Sequence, residues 1–132
     1  MSVSTATTLD VAQVLAEIIG TVDGLRVVWW ISDASRPPVA VIAQPDIDYV
    51  DAATPFCFAS WVFPVAIVVE RNNDRDAQTK LSKYVSAVAL ALADAVPPDG
   101  VFDITPLTAR PSTVSVAGTD LPAYELRVRV RA

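Results

Sequence analysis

Histidine does not occur in the 132 residues, and cysteine occurs once, at Cys57. The first absence removes every His-based triad and every His-containing metal site. The second removes any intrachain disulfide, so nothing in the chain calls for an oxidising compartment. Glycine is scarce too: four residues, at 20, 24, 100 and 118, are too scattered to form a Gly-rich phosphate loop. Long apolar runs are also missing. The densest, from about Cys57 to Val69, is shorter than the ~18 residues of a membrane span and contains Ser60 and Pro64. The opening MSVSTATTLD places no positive segment before an apolar core, so no signal peptide is expected. Residues 1–7 read as a disordered lead, and 8–132 as a single domain.

Basic residues are few, 10 against 15 acidic, for a formal net charge of -5. That balance argues against phosphate-driven nucleic-acid binding, which needs concentrated Lys and Arg. Apolar residues are plentiful at 52%, far above a disordered acidic chain. The charge is unevenly placed. Residues 1–103 hold 13 acids and 6 bases, whereas 104–132 hold 2 acids and 4 bases. Three of those bases are Arg127, Arg129 and Arg131, the sharpest electrostatic feature of the sequence.

Thr7 or Thr8 caps a first helix, with Asp10 at capping-box spacing from Thr7. Val11, Val14, Leu15, Ile18 and Ile19 recur at helical spacing, and Gly20 or Gly24 ends the pattern. Leu25–Ile31 is a strand with apolar residues on both faces, and Ser32–Pro38 is a loop. Val39–Ala43 pairs back as a second strand, after which Pro45 and the spaced Asp46, Asp48 and Asp51 mark a surface stretch or an edge. Phe56–Glu70 is a long strand, apolar on both faces and so central and covered. Pro64 conflicts with that reading unless a bulge or bend absorbs it.

Asn72 or Asn73 caps a second helix running to about Ala95, roughly 33 Å at 1.5 Å per residue. Its stripe is Leu81, Tyr84, Val85, Val88, Leu92 and Ala95. Leu90 lies opposite, among Ala87, Ala89, Ala91 and Ala93, so the second half has almost no polar surface. A helix apolar all round is normally covered on more than one side, and a neighbouring subunit is the expected second cover. Phe102–Leu107 is weakly patterned, Thr113–Val116 is a short strand, and Leu121–Arg131 returns from a turn at Gly118 and Asp120. The last strand alternates strictly, with Tyr124, Leu126, Val128 and Val130 against Glu125, Arg127, Arg129 and Arg131. The expected fold is α+β: a mostly antiparallel mixed sheet packed against two helices, in the order α-β-β-β-α-β-β.

Little chemistry is visible. Cys57, between Phe56 and Phe58 with no histidine to activate it, reads as a buried inert thiol. The aspartates at 46, 48 and 51 read as a solvated edge, and Asn72–Asp76 as a helix cap rather than a calcium loop. No catalytic, metal or cofactor residue is assigned, and an enzyme is not expected. Adjacent on a strand, Trp29 and Trp30 point to opposite faces, one into the core and the other over a helix or into an interface. The Arg127, Arg129 and Arg131 face is a solvated basic edge, a contact for an acidic neighbour or channel, or, least favoured, a nucleic-acid strip.

Taken whole, residues 8–131 resemble the tail terminator proteins of long-tailed, siphovirus-type bacteriophages. The resemblance lies in the helix DVAQVLAEIIG, the LRVVWW strand, the segment PVAIVVERNNDRDAQTKLSKYV and the closing AYELRVRVR strand. It implies a structural virion protein: a homohexameric ring at the head-proximal end of the tail, assembled in the host cytoplasm. Such a ring caps the tail tube, stops its polymerisation, receives the neck proteins and passes DNA through its lumen without reading sequence. No cofactor and no membrane enter that picture. Arg127, Arg129 and Arg131 become candidates for subunit or tube contact, and Trp29, Trp30 and Leu90 for packing between subunits. The alternatives are another neck protein, such as a connector or stopper ring, and a small intracellular ligand-binding or regulatory α+β domain. Catalysis through Cys57 comes last.

Overall fold

A computed structural model describes residues 7–29, 36–49, 59–70, 73–98, 100–101, 103–116 and 118–132. Thr7 opens helix α1, Thr8–Ile19, through a complete capping box. The Asp10 N–H donates to Thr7 Oγ1 at 3.2 Å, and the Thr7 N–H donates to Asp10 Oδ2 at 3.0 Å. Helix α2, Asp74–Asp94, starts the same way: the Asp76 N–H donates to Asn73 Oδ1 at 2.8 Å. Each cap satisfies backbone donors that the helix cannot satisfy itself.

The helices lie on one face of a six-stranded sheet of β1 (Arg26–Val28), β2 (Val39–Ile42), β3 (Asp46–Asp48), β4 (Ser60–Val68), β5 (Asp103–Val116) and β6 (Thr119–Arg131). The order is β1-β2-β4-β6-β5, with β3 also on β4. This is the α+β fold of two helices and a mostly antiparallel mixed sheet that the sequence indicates, with one strand added at Asp46–Asp48. The mixed character comes from β1 and β2, which run parallel and do not form the expected hairpin.

Alternation on β4 sets the core. Trp61, Phe63, Val65 and Ile67 point under the helices, opposite Val130, Val128, Leu126 and Tyr124 of β6. Val11, Leu15 and Ile19 of α1 and Leu81, Val88 and Leu92 of α2 close over them. β4 is central, as expected, but the helices cover only one of its faces. Its second face carries Ser60, Val62, Pro64, Ala66 and Val68 beside the odd-numbered residues of β6.

Of the bulge or bend expected at Pro64, the structure has a bulge, placed on the neighbouring strand and not in β4, which runs unbroken from Ser60 to Val68. Ile42 sits opposite Val65 and Asp46 opposite Val62, so Ala43, Gln44 and Pro45 face only Phe63 and Pro64. The extra residue is a bulge on the neighbouring strand. There the Ala43 N–H donates to the Pro64 carbonyl at 2.9 Å, so the donor that Pro64 lacks would have pointed into the bulge.

The weak pattern expected at Phe102–Leu107 and the short strand at Thr113–Val116 belong to one strand of 14 residues, β5. A register shift between Pro106 and Thr108 leaves Leu107 as its bulge. The last β4–β6 partners are Val68 and Ala123, so the hairpin from Thr113 to Leu121 continues beyond the sheet as an arm. At its tip Gly118 has a φ of +79°, a conformation glycine adopts without penalty.

The α1 cap carries two measurable consequences. Thr7→Ala should lower stability by about 1 kcal/mol in urea unfolding. The Asp10 carboxyl is held below its ordinary range, first by the Thr7 backbone N–H and then by the Thr7 hydroxyl. A carboxylate lowered in the folded state stabilises above its unfolded pKa and stops doing so as pH falls through the folded value. The Tm advantage of wild type over Asp10→Asn should therefore be full at neutral pH and shrink below about pH 4.

Candidate functional site

No residue cluster with the donors of a metal site occurs among the described residues. No described helix is long and apolar enough to cross a membrane. The features left to examine are surfaces.

Strands β3, β4, β6 and β5 bring a charged ladder together on the second sheet face. Register aligns Asp48, Ser60, Arg131 and Asp103 in one row, and Asp46, Val62, Arg129 and Thr105 in the next. Arg131 donates through Nε and Nη2 to Asp103 Oδ2, the former at 2.8 Å. Arg127 Nη2 lies 3.5 Å from Asp46 Oδ2, and its Nη1 lies 3.9 Å from Glu125 Oε1. Arg129 is flanked by these pairs, and its Nε is buried with no hydrogen-bond partner. Asp103 Oδ1 is a second unpartnered atom on this face.

The three arginines that dominate the C-terminal sequence are therefore surrounded by acids. Asp46 and Asp103, distant in sequence, enter through strand pairing and pair with Arg127 and Arg131. Across this face the charges largely cancel, and the uneven distribution along the chain does not become a basic patch. Sequence reasoning missed Asp46 and Asp103 as members of this ladder, because only register reveals them.

Farther along the same face the surface becomes apolar. Val39, Val68 and Ala123 are buried there, with Val28, Val41, Ala66, Val114 and Leu121 around them. Trp29 packs on the other side, against the main core, as one member of the Trp pair must. Trp30 and Cys57 lie outside the described residues.

Helix α2 carries the second surface. Ala77, Leu81, Val88 and Leu92 are buried, whereas Leu90 is 62% exposed. A shallow depression beside Leu90 is lined by Ala87 and Ala91 of α2 and by Val22 and Asp23 of the turn after α1. Lys83 and Asp94 border it. Val96, 88% exposed, prolongs the apolar surface beyond the helix. The back of α2 thus has the uncovered apolar character that its composition indicates.

A groove between α2 and the β5–β6 hairpin is the third feature. Gln78, Ser82 and Ser86 of α2 line one wall, Pro111, Ser112 and Tyr124 the other, and Leu81 and Val85 also contribute. The helix residues recur every four positions, so they form one stripe. No protein-family model matches the chain, and a comparison with curated proteins finds no match.

Proposed function

We propose that this protein is a tail terminator: a subunit that works by contact, not by catalysis, in a homohexameric ring on the tail tube of a long-tailed bacteriophage. In this reading the ring sits at the head-proximal end of the tail after assembly in the host cytoplasm. One side stops tube polymerisation, the other receives neck proteins, and DNA passes through the lumen unread. The observation that carries the reading is the back of α2, where Leu90 stands exposed in an alanine-rich half-helix. Such a surface needs a cover that one small domain does not supply. The two helices on a mixed sheet also suit the fold that the resemblance implies.

A second reading, a small ligand-binding or regulatory domain, is favoured by the groove between α2 and the hairpin. Its hydroxyl and amide groups beside apolar side chains are the usual composition of a small-molecule cleft. Electron microscopy of the protein mixed with tail tubes separates the two. The terminator reading expects six-fold rings seated on one tube end and halted growth. A monomer indifferent to tube ends, with unfolding shifted by a metabolite, favours the ligand-binding domain. Rings bound at the capsid vertex before tails arrive assign the chain to another neck component.

Leu90→Asp gives the local test. Because the side chain is exposed in the monomer, the unfolding free energy should change by no more than about 0.5 kcal/mol. Ring formation, followed by sedimentation velocity, should weaken by about tenfold or more if a neighbouring subunit covers this residue.

A further inference from the structure

One stripe of α2 is complementary to itself, which goes beyond the ring reading and stands without it. Lys83, Ala87, Leu90 and Asp94 follow one another at spacings of four, three and four residues. Those steps keep the four side chains on one side of the helix. The stripe points away from the core, since Leu81, Val88 and Leu92 occupy the opposite side. Lys83, Leu90 and Asp94 are exposed, and Ala87 is half-buried in the wall of the depression beside Leu90.

The charges at the two ends of the stripe are not answered within the monomer. Among the described residues neither Lys83 nor Asp94 is in an ion pair. The one recorded contact of the ammonium is distant, 6.0 Å from Lys83 Nζ to the centre of the Tyr84 ring. Asp94 sits in the last turn of α2, where no basic residue accompanies it. An acid there opposes the helix dipole, which favours cations at that end. Asp23, which lines the same depression, is a further acid and offers Asp94 no compensation. A second α2 running the other way supplies both missing partners. Lys83 and Asp94 are equidistant from the point between residues 88 and 89, and so are Ala87 and Leu90. A two-fold axis at that point sets each Lys83 beside Asp94 of the other copy, and each Leu90 on the other copy's Ala87.

We propose that α2 packs antiparallel on α2 of a second copy of this chain, about that two-fold axis. Steps of four and three residues are those of the seam between two coiled helices, where a knob on one fills a hole on the other. The small side chains of Ala87 and Ala91 leave such a hole for Leu90 of the second copy. They also let the helix axes approach to the short end of the usual range, about 8–10 Å. Two layers of Leu90 on Ala87 make a small core, so the dimer is weak beside a standard interface. The Lys83–Asp94 pairs at its ends favour the antiparallel direction, because a parallel pair would set like charges together. A contact of this kind uses the same patch on both copies and closes at two. It therefore belongs to the free chain, and a ring that covers Leu90 has to open it first.

Two charge reversals, tested singly and then mixed, read the symmetry directly. Both positions are exposed, so Lys83→Glu and Asp94→Lys should keep the circular dichroism and the unfolding midpoint of wild type in dilute solution. In sedimentation velocity at up to about 1 mM, wild type should pass from monomer to dimer, and each variant should dimerise about tenfold more weakly. Lys83→Glu makes an acidic chain more acidic and Asp94→Lys makes it less so, so net charge alone does not weaken both. Mixing the two variants should restore dimers of near wild-type strength, because both end pairs are attractive in the mixed dimer. The double variant, Lys83→Glu with Asp94→Lys, should dimerise as wild type does. A wild-type chain that stays monomeric, or that passes straight to larger assemblies, overturns the proposal. So does a dimer that either reversal leaves intact. Weakened variants that mixing does not restore overturn it as well, since a contact between two different patches gives that result. None of these outcomes touches the ring reading, which is decided on tube ends.

Discussion

Phe63→Ala should destabilise the protein by about 3–5 kcal/mol, the largest effect expected of any single core truncation here. Phe63 is fully buried at the middle of β4, opposite Val128 of β6. β4 is the strand on which β2, β3 and β6 all pair, so the cavity would open where the sheet has no edge to relax against. Collapse is further limited by the buried Val65 and Val128 and by the helices above, and the cost should lie toward the upper end of the range. A total stability of about 5–15 kcal/mol is usual for a domain, so this change alone should leave a substantial unfolded fraction on warming. Urea unfolding should show a lower midpoint with an unchanged slope, meaning lost stability without a change of mechanism. Trp61→Phe offers a contrast on the same face. The Trp61 Nε1 is buried without a hydrogen-bond partner, so the smaller ring gives up area but no bond.

Periodicity made part of this architecture legible. Helices carry their pattern locally, and the Thr7–Asp10 spacing, the α1 stripe and the Leu81–Leu92 stripe of α2 lie where that pattern puts them. The alternation from Tyr124 to Val130 gives the correct core face of β6 for the same reason. β5 was illegible because its signals conflict. Two prolines and a bulge shift the phase of the strand halfway along, so neither half shows a sustained period. β3 was hidden by its aspartates, which are tolerable in a short strand on the sheet margin. The parallel pairing of β1 and β2 depends on a connection that carries no periodic signal.

The candidate surfaces divide in the same way. Leu90 could be found from sequence because a helix fixes which residues share a face, and its exposure follows from being opposite the buried stripe. The environment of the arginines could not. Arg127 meets a carboxylate 81 positions away and Arg131 one 28 positions away. A charge count taken along the chain cannot register either pairing.

Arg131 and Arg129, two residues apart on one strand, should behave oppositely when replaced by methionine. Arg131 and Asp103 have side chains only 30% and 26% exposed, and Arg131 Nε donates to the carboxylate at 2.8 Å. Arg131→Met leaves that carboxylate half-buried, with Oδ1 already unpartnered, and should cost about 1–3 kcal/mol. Removing both partners is less damaging than removing one, because no charge is then stranded. Arg131→Met combined with Asp103→Leu should recover most of the loss, which a double-mutant cycle measures. Arg129→Met removes a guanidinium whose Nε has no partner, so stability should be unchanged or slightly raised. Retention of Arg129 despite that indifference would need a reason outside the monomer, and assembly assays on the same variant supply the comparison. A stable Arg129→Met protein that assembles poorly assigns the side chain to an intersubunit or tube contact. One that assembles normally leaves it as a solvated member of a neutral ladder, held between two pairs that do the structural work.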